Sequence, residues 1–263
     1  MILKIKELLI KILSFLPDKI LLTLEKTFSI SRGKGLNFSI KNEFSNFLKF
    51  NENINVFVDI GGNKGEYTEQ IIKNFPNSEG FIFEPDSKNY LFLKKKFKSK
   101  KIIIIKKALS NTTGKNHLFS TKRSSGRSSL YKRRLDHYGF KFKKIEKVKI
   151  TTMSSYYKKN IKKVVDFCKI DIEGNELNCL YGFEKFIKKF KYIQFEFNGC
   201  NIDSKTFFQD FWYFFKKNNF KLYRLTPTGP LLIKNYTEED EHFGMNNFIA
   251  QNNRFVKSYG LLR

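Results

Sequence analysis

Four apolar runs in this chain end in carboxylates. Asp59 falls within "INVFVDI" (54–60), Glu84 within "GFIFEP" (80–85), Asp171 with Glu173 at "VVDFCKIDI" (164–172), and Glu196 within "YIQFEFN" (192–198). One acid at a strand end is ordinary loop chemistry. A series of them on successive strands points to a site, because open parallel sheets bind ligands beyond the carboxyl ends of their strands. After Asp59 the glycines Gly61, Gly62 and Gly65 form D-x-G-x-x-x-G around Asn63. A dinucleotide fingerprint, G-x-G-x-x-G, would need a middle glycine that is missing here, and the P-loop pattern is absent too.

The acid narrows the ligand. A carboxylate at Asp59 repels a pyrophosphate but can hold a cationic amino group, and glycines let backbone approach a bulky ligand. Glu84 can accept both hydroxyls of an unphosphorylated ribose. The implied ligand has a ribose diol, no phosphate near the turn and a cationic amino-acid end. S-adenosylmethionine fits all three requirements, and NAD fits only the ribose.

The elements that must position these residues alternate between strand and helix. A helical stretch from about Gly65 to Asn74 follows the first strand. "DSKNYLFLKKKF" (86–97) restarts a helix after Pro85 with Asp86 as its N-cap, and "KIIIIKKAL" (101–109) is a third strand. A helical pattern runs from Glu176 to about Phe190, and "KTFFQDFWYFFKKN" is an aromatic helix. "FKLYRL" (220–225) and "NNFIAQN" (246–252) complete the sheet. Strands apolar nearly throughout suit a parallel sheet covered on both faces. The expected fold is α/β: a doubly wound, Rossmann-like, mostly parallel seven-stranded sheet with an N-terminal amphipathic helical extension over 1–34. The domain proper spans 35–263. Within it, 110–152 breaks the rhythm with "STKRSSGRSSLYKRR", a Ser/Arg/Gly insertion on the substrate side of the sheet.

Composition sets outer limits. Thirty Phe and 12 Tyr give ample material to bury, which excludes a disordered chain. A formal charge of +25 would attract nucleic acid or anionic surfaces, yet the basic residues are nearly all Lys and spread along the chain. Cys168, Cys179 and Cys200 show no CxxC pairing; an odd count argues for a reducing, cytoplasmic setting, with no zinc site. In "MILKIKELLIKILSF", Lys4, Glu7, Lys11 and Ser14 form one polar stripe on an otherwise apolar helix. Residues 2–16 could cap the core, join a homodimer, or lie on an anionic membrane as a peripheral contact.

Several ordered motifs resemble one family. "VFVDIGGNKGEYT", "GFIFEPDSKNYLFL", "KKALSNTTG", "SSGRSSL", "KITTMSSYY" and above all "FCKIDIEGNELNCLYG" follow the pattern of FkbM-like class I methyltransferases over roughly 35–252. The resemblance implies that Asp59, Gly61, Gly62, Asn63 and Gly65 line the methionine and ribose part of S-adenosylmethionine. It implies Glu84 at the ribose hydroxyls with Pro85 beside it, Ala108, Leu109 and Ser110 near the adenine, and Asp171 near the departing methyl. Members are mostly thought to O-methylate sugars or natural-product hydroxyls, so a small-molecule or glycan acceptor is expected, as part of polysaccharide biosynthesis. Met153 stands where the family usually has Leu.

A hydroxyl acceptor needs its proton removed. Glu173, Glu196 and His242 are the candidate bases, with His137 a weaker one; each of Glu173 and His242 has a plain alternative, as a helix cap and a loop histidine. Asp171, Glu173 and Glu196 could also hold Mg²⁺ as hard oxygen ligands, although the sequence supplies no ligand geometry and no metal ligand is assigned. Arg127 and its Ser neighbours could reach the acceptor. Two other functions compete with sugar O-methylation. The charge favours an RNA methyltransferase, though neither the [DNS]PP[YFW] signature nor Pro-Cys is present. A non-catalytic nucleotide or glycan binding module has no need of the full cofactor set.

Overall fold

Strands apolar on both faces cannot lie on a surface, and here they occupy the middle of the sheet. The computed structural model describes residues 2–36, 38–121, 126 and 128–256. Helices α1 (Ile2–Ser14), α2 (Asp18–Ser31) and α3 (Ile40–Leu48) precede β1 (Val56–Ile60). Next come α4 (Glu66–Asn74), β2 (Glu79–Phe83), α5 (Ser87–Lys96) and β3 (Ile102–Ile105). The middle of the chain supplies β4 (Ala108–Leu109), β5 (Gly114–Ser120), β6 (Lys143–Thr151) and α6 (Met153–Tyr156). Then follow β7 (Val165–Ile170), α7 (Glu176–Tyr181), β8 (Phe190–Phe197), α8 (Cys200–Ser204) and α9 (Phe208–Lys217). The chain ends its regular structure with β9 (Phe220–Thr226), β10 (Gly229–Ile233) and β11 (Asn246–Asn252).

Among the described residues the main sheet runs β10-β9-β11-β8-β7-β1-β2-β3. Pairings from β3 through β8 are parallel, and β11, β9 and β10 join antiparallel. Strand order reverses between β1 and β7, so the crevice expected of a doubly wound sheet opens at their carboxyl ends. Alternate residues of each strand enter opposite cores. Phe57 and Phe167 pack with Phe44, Tyr67 and Leu93 of α3, α4 and α5. Val58 and Phe195 pack with Met153, Leu180 and Phe211 of α6, α7 and α9. The doubly wound α/β class is as expected, and so is the cap on α5: the Asp86 side chain accepts from the N–H of Lys88 and Asn89.

Three details differ. The sheet has eight strands rather than seven because β9 turns back at Thr226 to Gly229 and adds β10 at the edge. Pro230 hid that strand in the sequence, and an edge is where proline is tolerated. The run 101–109 is not one strand. It breaks at Lys106 and Lys107, where paired charges leave the covered sheet, and Ala108–Leu109 pairs with β6 in a second sheet ordered β4-β6-β5. The helix begun at Glu176 stops at Tyr181 and gives way to 3-10 turns over Glu184–Lys189. Gly182 packs so closely on the Ser110 carbonyl that a Cβ there would stand 2.1 Å from its oxygen.

Candidate active site

The turn after β1 brings backbone together where a side chain would block it. Gly61 has φ +92°, and a Cβ on it would lie 1.9 Å from the Asp171 carbonyl oxygen. The Asp171 N–H donates to Ile60 O at 3.0 Å, which seats the end of β7 against the end of β1. Gly62 and Gly65 serve packing: a Cβ would strike Ile82 on the first and Phe97 and Leu93 on the second. Gly65 also takes the left-handed N-cap of α4.

Three openings share Asp171 in their walls. The first is a cleft of about 670 Å³, measured to its mouth, walled by Gly61, Asn63, Glu84, Pro85, Ala108 and Leu109 among others. By position it is the crevice in which a doubly wound sheet takes its ligand, and it is the candidate cofactor cleft. The second is a smaller recess beneath the turn, reached by Asp59, Gly61, Gly62, Asn63, Tyr67 and Lys169. The third is a cavity of about 1350 Å³, roughly twice the first, with Glu173 and Asp171 shared between it and the cleft. Its walls carry Phe38, Tyr138, Phe140 and Phe243 together with Glu43 and Glu196.

Glu84 is 5 % exposed. Its Oε2 accepts the Asn63 N–H at 2.7 Å and its Oε1 the Asp86 N–H at 2.8 Å. Those two amides fix the carboxylate in the cleft, and each oxygen keeps a further lone pair for a ribose hydroxyl. Burial pushes its pKa up to about 8, with the backbone donors opposing. Asp59 is buried, accepts from Thr68 Oγ1 at 2.6 Å, and is raised by burial to about 6. Its carboxylate thus ties β1 to α4 and faces the recess rather than the cleft. Glu176 accepts from the N–H of Ile172 and Gly174, each at 2.9 Å, shaping the loop that presents Asp171, and burial raises it to about 8.

These three carboxyls ionise less readily folded than unfolded. Each therefore favours the folded state in acid and loses that contribution as pH rises through its folded value. For Glu84 the window runs from about pH 4.5 to about pH 8. Urea midpoints of wild type and Glu84→Gln, compared across that window, should shift in favour of the variant as pH rises. A difference constant with pH would overturn this account of Glu84.

Beneath the cleft, Lys169 is 3 % exposed and its Nζ lies 2.6 Å from Glu43 Oε1, 3.3 Å from Asn247 Oδ1 and 3.6 Å from Asp171 Oδ2. Burial alone would lower its pKa, but Glu43, Asp171 and Glu196 raise it above the usual lysine value. Gln194 also donates to Glu43. Glu173 is held by Arg133 Nη1 at 2.9 Å and contacts Cys200 Sγ at 2.7 Å. Glu196 is 9 % exposed on β8, and burial, reinforced by Asp171, raises its carboxyl well above the ordinary value.

The structure brings Glu173, Glu196 and Asp171 to one cavity wall. It does not bring the other candidates there. Ser110 lines none of the three openings; its N–H donates to Thr151 O. His242 packs beside Gly35 and Gly244, off all three openings, with burial lowering its pKa. His137 is exposed, with its ring tilted against that of Tyr138. Arg127 lies outside the described residues. Among the described residues no group of three or more His, Cys, Asp or Glu side chains is placed to hold a metal. Arg133 occupies Glu173 and Lys169 sits beside Asp171, so the proposed Mg²⁺ ligands already face cations. Sequence reasoning missed Lys169 and Arg133. Lys169 was detectable as the one basic residue inside "VVDFCKIDI", two residues before Asp171 and therefore on its side of the sheet; Arg133 gave no signal beyond a basic run.

The insertion at 110–152 walls both large openings. Leu118, Gly126, Ser128 and Leu130 face the cleft, and Arg133, Leu135, Tyr138 and Phe140 face the cavity. Glu146 on β6 accepts from Ser87 N and Oγ at 2.8 and 2.6 Å, fastening the second sheet to the start of α5.

The sequence pattern of the Methyltransferase FkbM domain matches residues 59–222, more than half of the 263 residues. The chain belongs to the FkbM methyltransferase domain family. It is an S-adenosylmethionine-dependent methyltransferase. The match begins at Asp59 itself and takes in Glu84, Asp171, Glu173 and Glu196. Among solved structures, an O-methyltransferase from Bacillus cereus in complex with SAH is 10% identical, covers 88% of this chain and 88% of its own, and has a TM-score of 0.44. M. capricolum TrmK bound to S-adenosyl-homocysteine is 12% identical, with coverage of 86% and 73% and a TM-score of 0.45. The plantazolicin methyltransferase BpumL with SAH is 11% identical, with coverage of 82% and 83% and a TM-score of 0.46. No curated protein matches the FkbM-domain chain in sequence.

Proposed function

We propose that this methyltransferase transfers its methyl to a hydroxyl of a sugar, in a surface glycan or its precursor. The observation that carries the reading is the large cavity that meets the cofactor cleft at Asp171 and Glu173. Its rings can lie against the faces of a sugar, and its carboxylates and the amides of Asn198 and Asn247 can bond hydroxyls. S-adenosylmethionine, when bound, supplies an electrophilic methyl on a sulfonium. The chain's own residues do the rest. Glu84 holds the ribose end of the cleft, and Asp171 offers negative charge to the cationic end. The cavity walls orient the acceptor hydroxyl toward the shared edge, and Glu196 takes its proton. Arg133 holds Glu173 in place beside them. The three cysteines are buried free thiols, which goes with a reducing, cytoplasmic setting.

The charge of +25 favours a second reading, methylation of RNA. Glu43, Asp171, Glu173 and Glu196 around the cavity oppose it, since a phosphodiester seated there would meet carboxylates. Incubation with methyl-labelled S-adenosylmethionine and fractionated cell material separates the two. Label is expected in the glycan or glycan-precursor fraction and lost with Glu196→Gln. Label confined to RNA would replace the sugar reading with the second one.

A further inference from the structure

The N-terminal helices present an apolar surface that no other described part of the chain covers. Every described side chain of α1 from Lys4 onward is exposed, and α2 has no buried residue. Leu8, Leu9, Ile12 and Phe15 are 59, 52, 54 and 88% exposed, and Leu22 and Phe28 of α2 are 63 and 66% exposed. Such contiguous apolar exposure marks an interaction surface. Lys4, Glu7, Lys11 and Ser14 stay on the opposite stripe of α1.

We propose that α1 and α2 seat the protein in the plane of an anionic phospholipid surface. Neither helix can cross a bilayer: they have 13 and 14 residues, and no helix of the described residues is long and apolar enough. Helices of this kind lie at the interface with their apolar side in the acyl boundary. Charge selects lipid over a second copy of the chain. Lys4, Lys6, Lys11, Lys19 and Lys26 outnumber Glu7, Asp18 and Glu25 on these helices, Arg32 caps α2, and the whole molecule carries +25. A second copy would bring the same positive field against the first, whereas an anionic headgroup layer is attracted by it. The helices' hydroxyls agree with contact to an apolar phase. On α2, Thr23, Thr27 and Ser31 each donate to a carbonyl of their own helix, at 2.7 to 2.8 Å, and so need no water.

The seat lies next to the acceptor cavity. α2 ends at Ser31, and Gly33 packs on the Leu225 carbonyl, where a Cβ would stand 2.0 Å from its oxygen. Gly35 meets His242, Lys34 Nζ bonds Glu239 O, and Phe38 already walls the cavity alongside Phe243. A lipid surface under α1 and α2 therefore brings the cavity close to an acceptor carried on that surface.

Sedimentation of the full chain with vesicles tests this without cofactor or acceptor, so its failure would leave the methyl-transfer reading untouched. The chain should sediment with phosphatidylcholine vesicles containing phosphatidylglycerol, stay in solution with phosphatidylcholine alone, and lose binding as salt is raised. Leu9→Asp/Ile12→Asp/Phe15→Asp, all at exposed positions, should weaken binding at least about tenfold while circular dichroism and melting temperature hold. Equal binding by this variant, or a wild-type chain that stays in solution with anionic vesicles, would overturn the proposal. So would a dimer that these substitutions dissociate with no change in vesicle binding.

Discussion

Glu196→Gln should lower kcat about 100- to 10,000-fold, the usual worth of a positioned general base, while the affinity for S-adenosyl-homocysteine stays unchanged. Glu196 lies on the wall of the acceptor cavity and not of the cofactor cleft, which separates the two effects. Its environment suits a base. Burial and the neighbouring Asp171 carboxylate raise its pKa, so that once ionised it holds a proton more strongly than an exposed glutamate. The wild-type rate should therefore climb with pH through a carboxyl group titrating above the ordinary glutamate range. Residual activity of the variant should lack that limb. Glutamine keeps the shape and polarity of the side chain, so a variant that folds, binds the product and turns over normally would remove Glu196 from the reaction. Glu173→Gln is the comparison: its carboxylate is already engaged by Arg133 at 2.9 Å and by Cys200 Sγ at 2.7 Å, so it is less free to face the acceptor and its loss should cost less.

The second large effect is on stability. Lys169→Met is expected to destabilise the fold by about 3–5 kcal/mol, because removing one partner of a buried ion pair leaves the other charged without compensation. Glu43 is 7 % exposed on α3, and burial already raises its carboxyl against the pull of Lys169. Lys169 also stands between Glu43 and Asp171, so its loss brings two like charges into mutual repulsion. The double variant Lys169→Met/Glu43→Gln should regain much of the loss, since the amide needs no counter-charge. Urea unfolding of the wild type, the single and the double variant measures this directly. A single variant within about 1 kcal/mol of wild type, or a double variant no better than the single, would mean that the cluster is not held by this pair.

What the sequence could show follows from where each residue's reason lies. Asp59, Gly61 and Glu84 were legible because their neighbours in the chain demand them: strand ends, a glycine turn and a cap sit within a few residues. Asp86 was legible for the same reason, as a cap that bonds two amides of its own helix. Gly65 was expected at the cofactor but answers to Phe97 and Leu93, neighbours that only the folded chain supplies. Ser110 was drawn in by its place after a strand that in fact breaks at Lys106, and its amide is spent on β6. Glu43 and Arg133 were invisible because each is defined by a partner far along the chain, Lys169 for one and Glu173 for the other. β10 was hidden because a proline at a sheet edge looks like a turn when strands are read one at a time.

The two large openings take many of their walls from different lengths of chain. The cleft depends on short turns after β1, β2 and β7 that are locked by backbone contact, as at Gly61 and Asp171. Much of the cavity comes instead from two other stretches, Arg133–Phe140 and Phe243–Asn247, which lead into β6 and β11. Change in those stretches leaves the locked turns alone. A lineage carrying this scaffold can thus exchange one acceptor for another by rewriting loops, while the machinery that delivers the methyl is inherited intact.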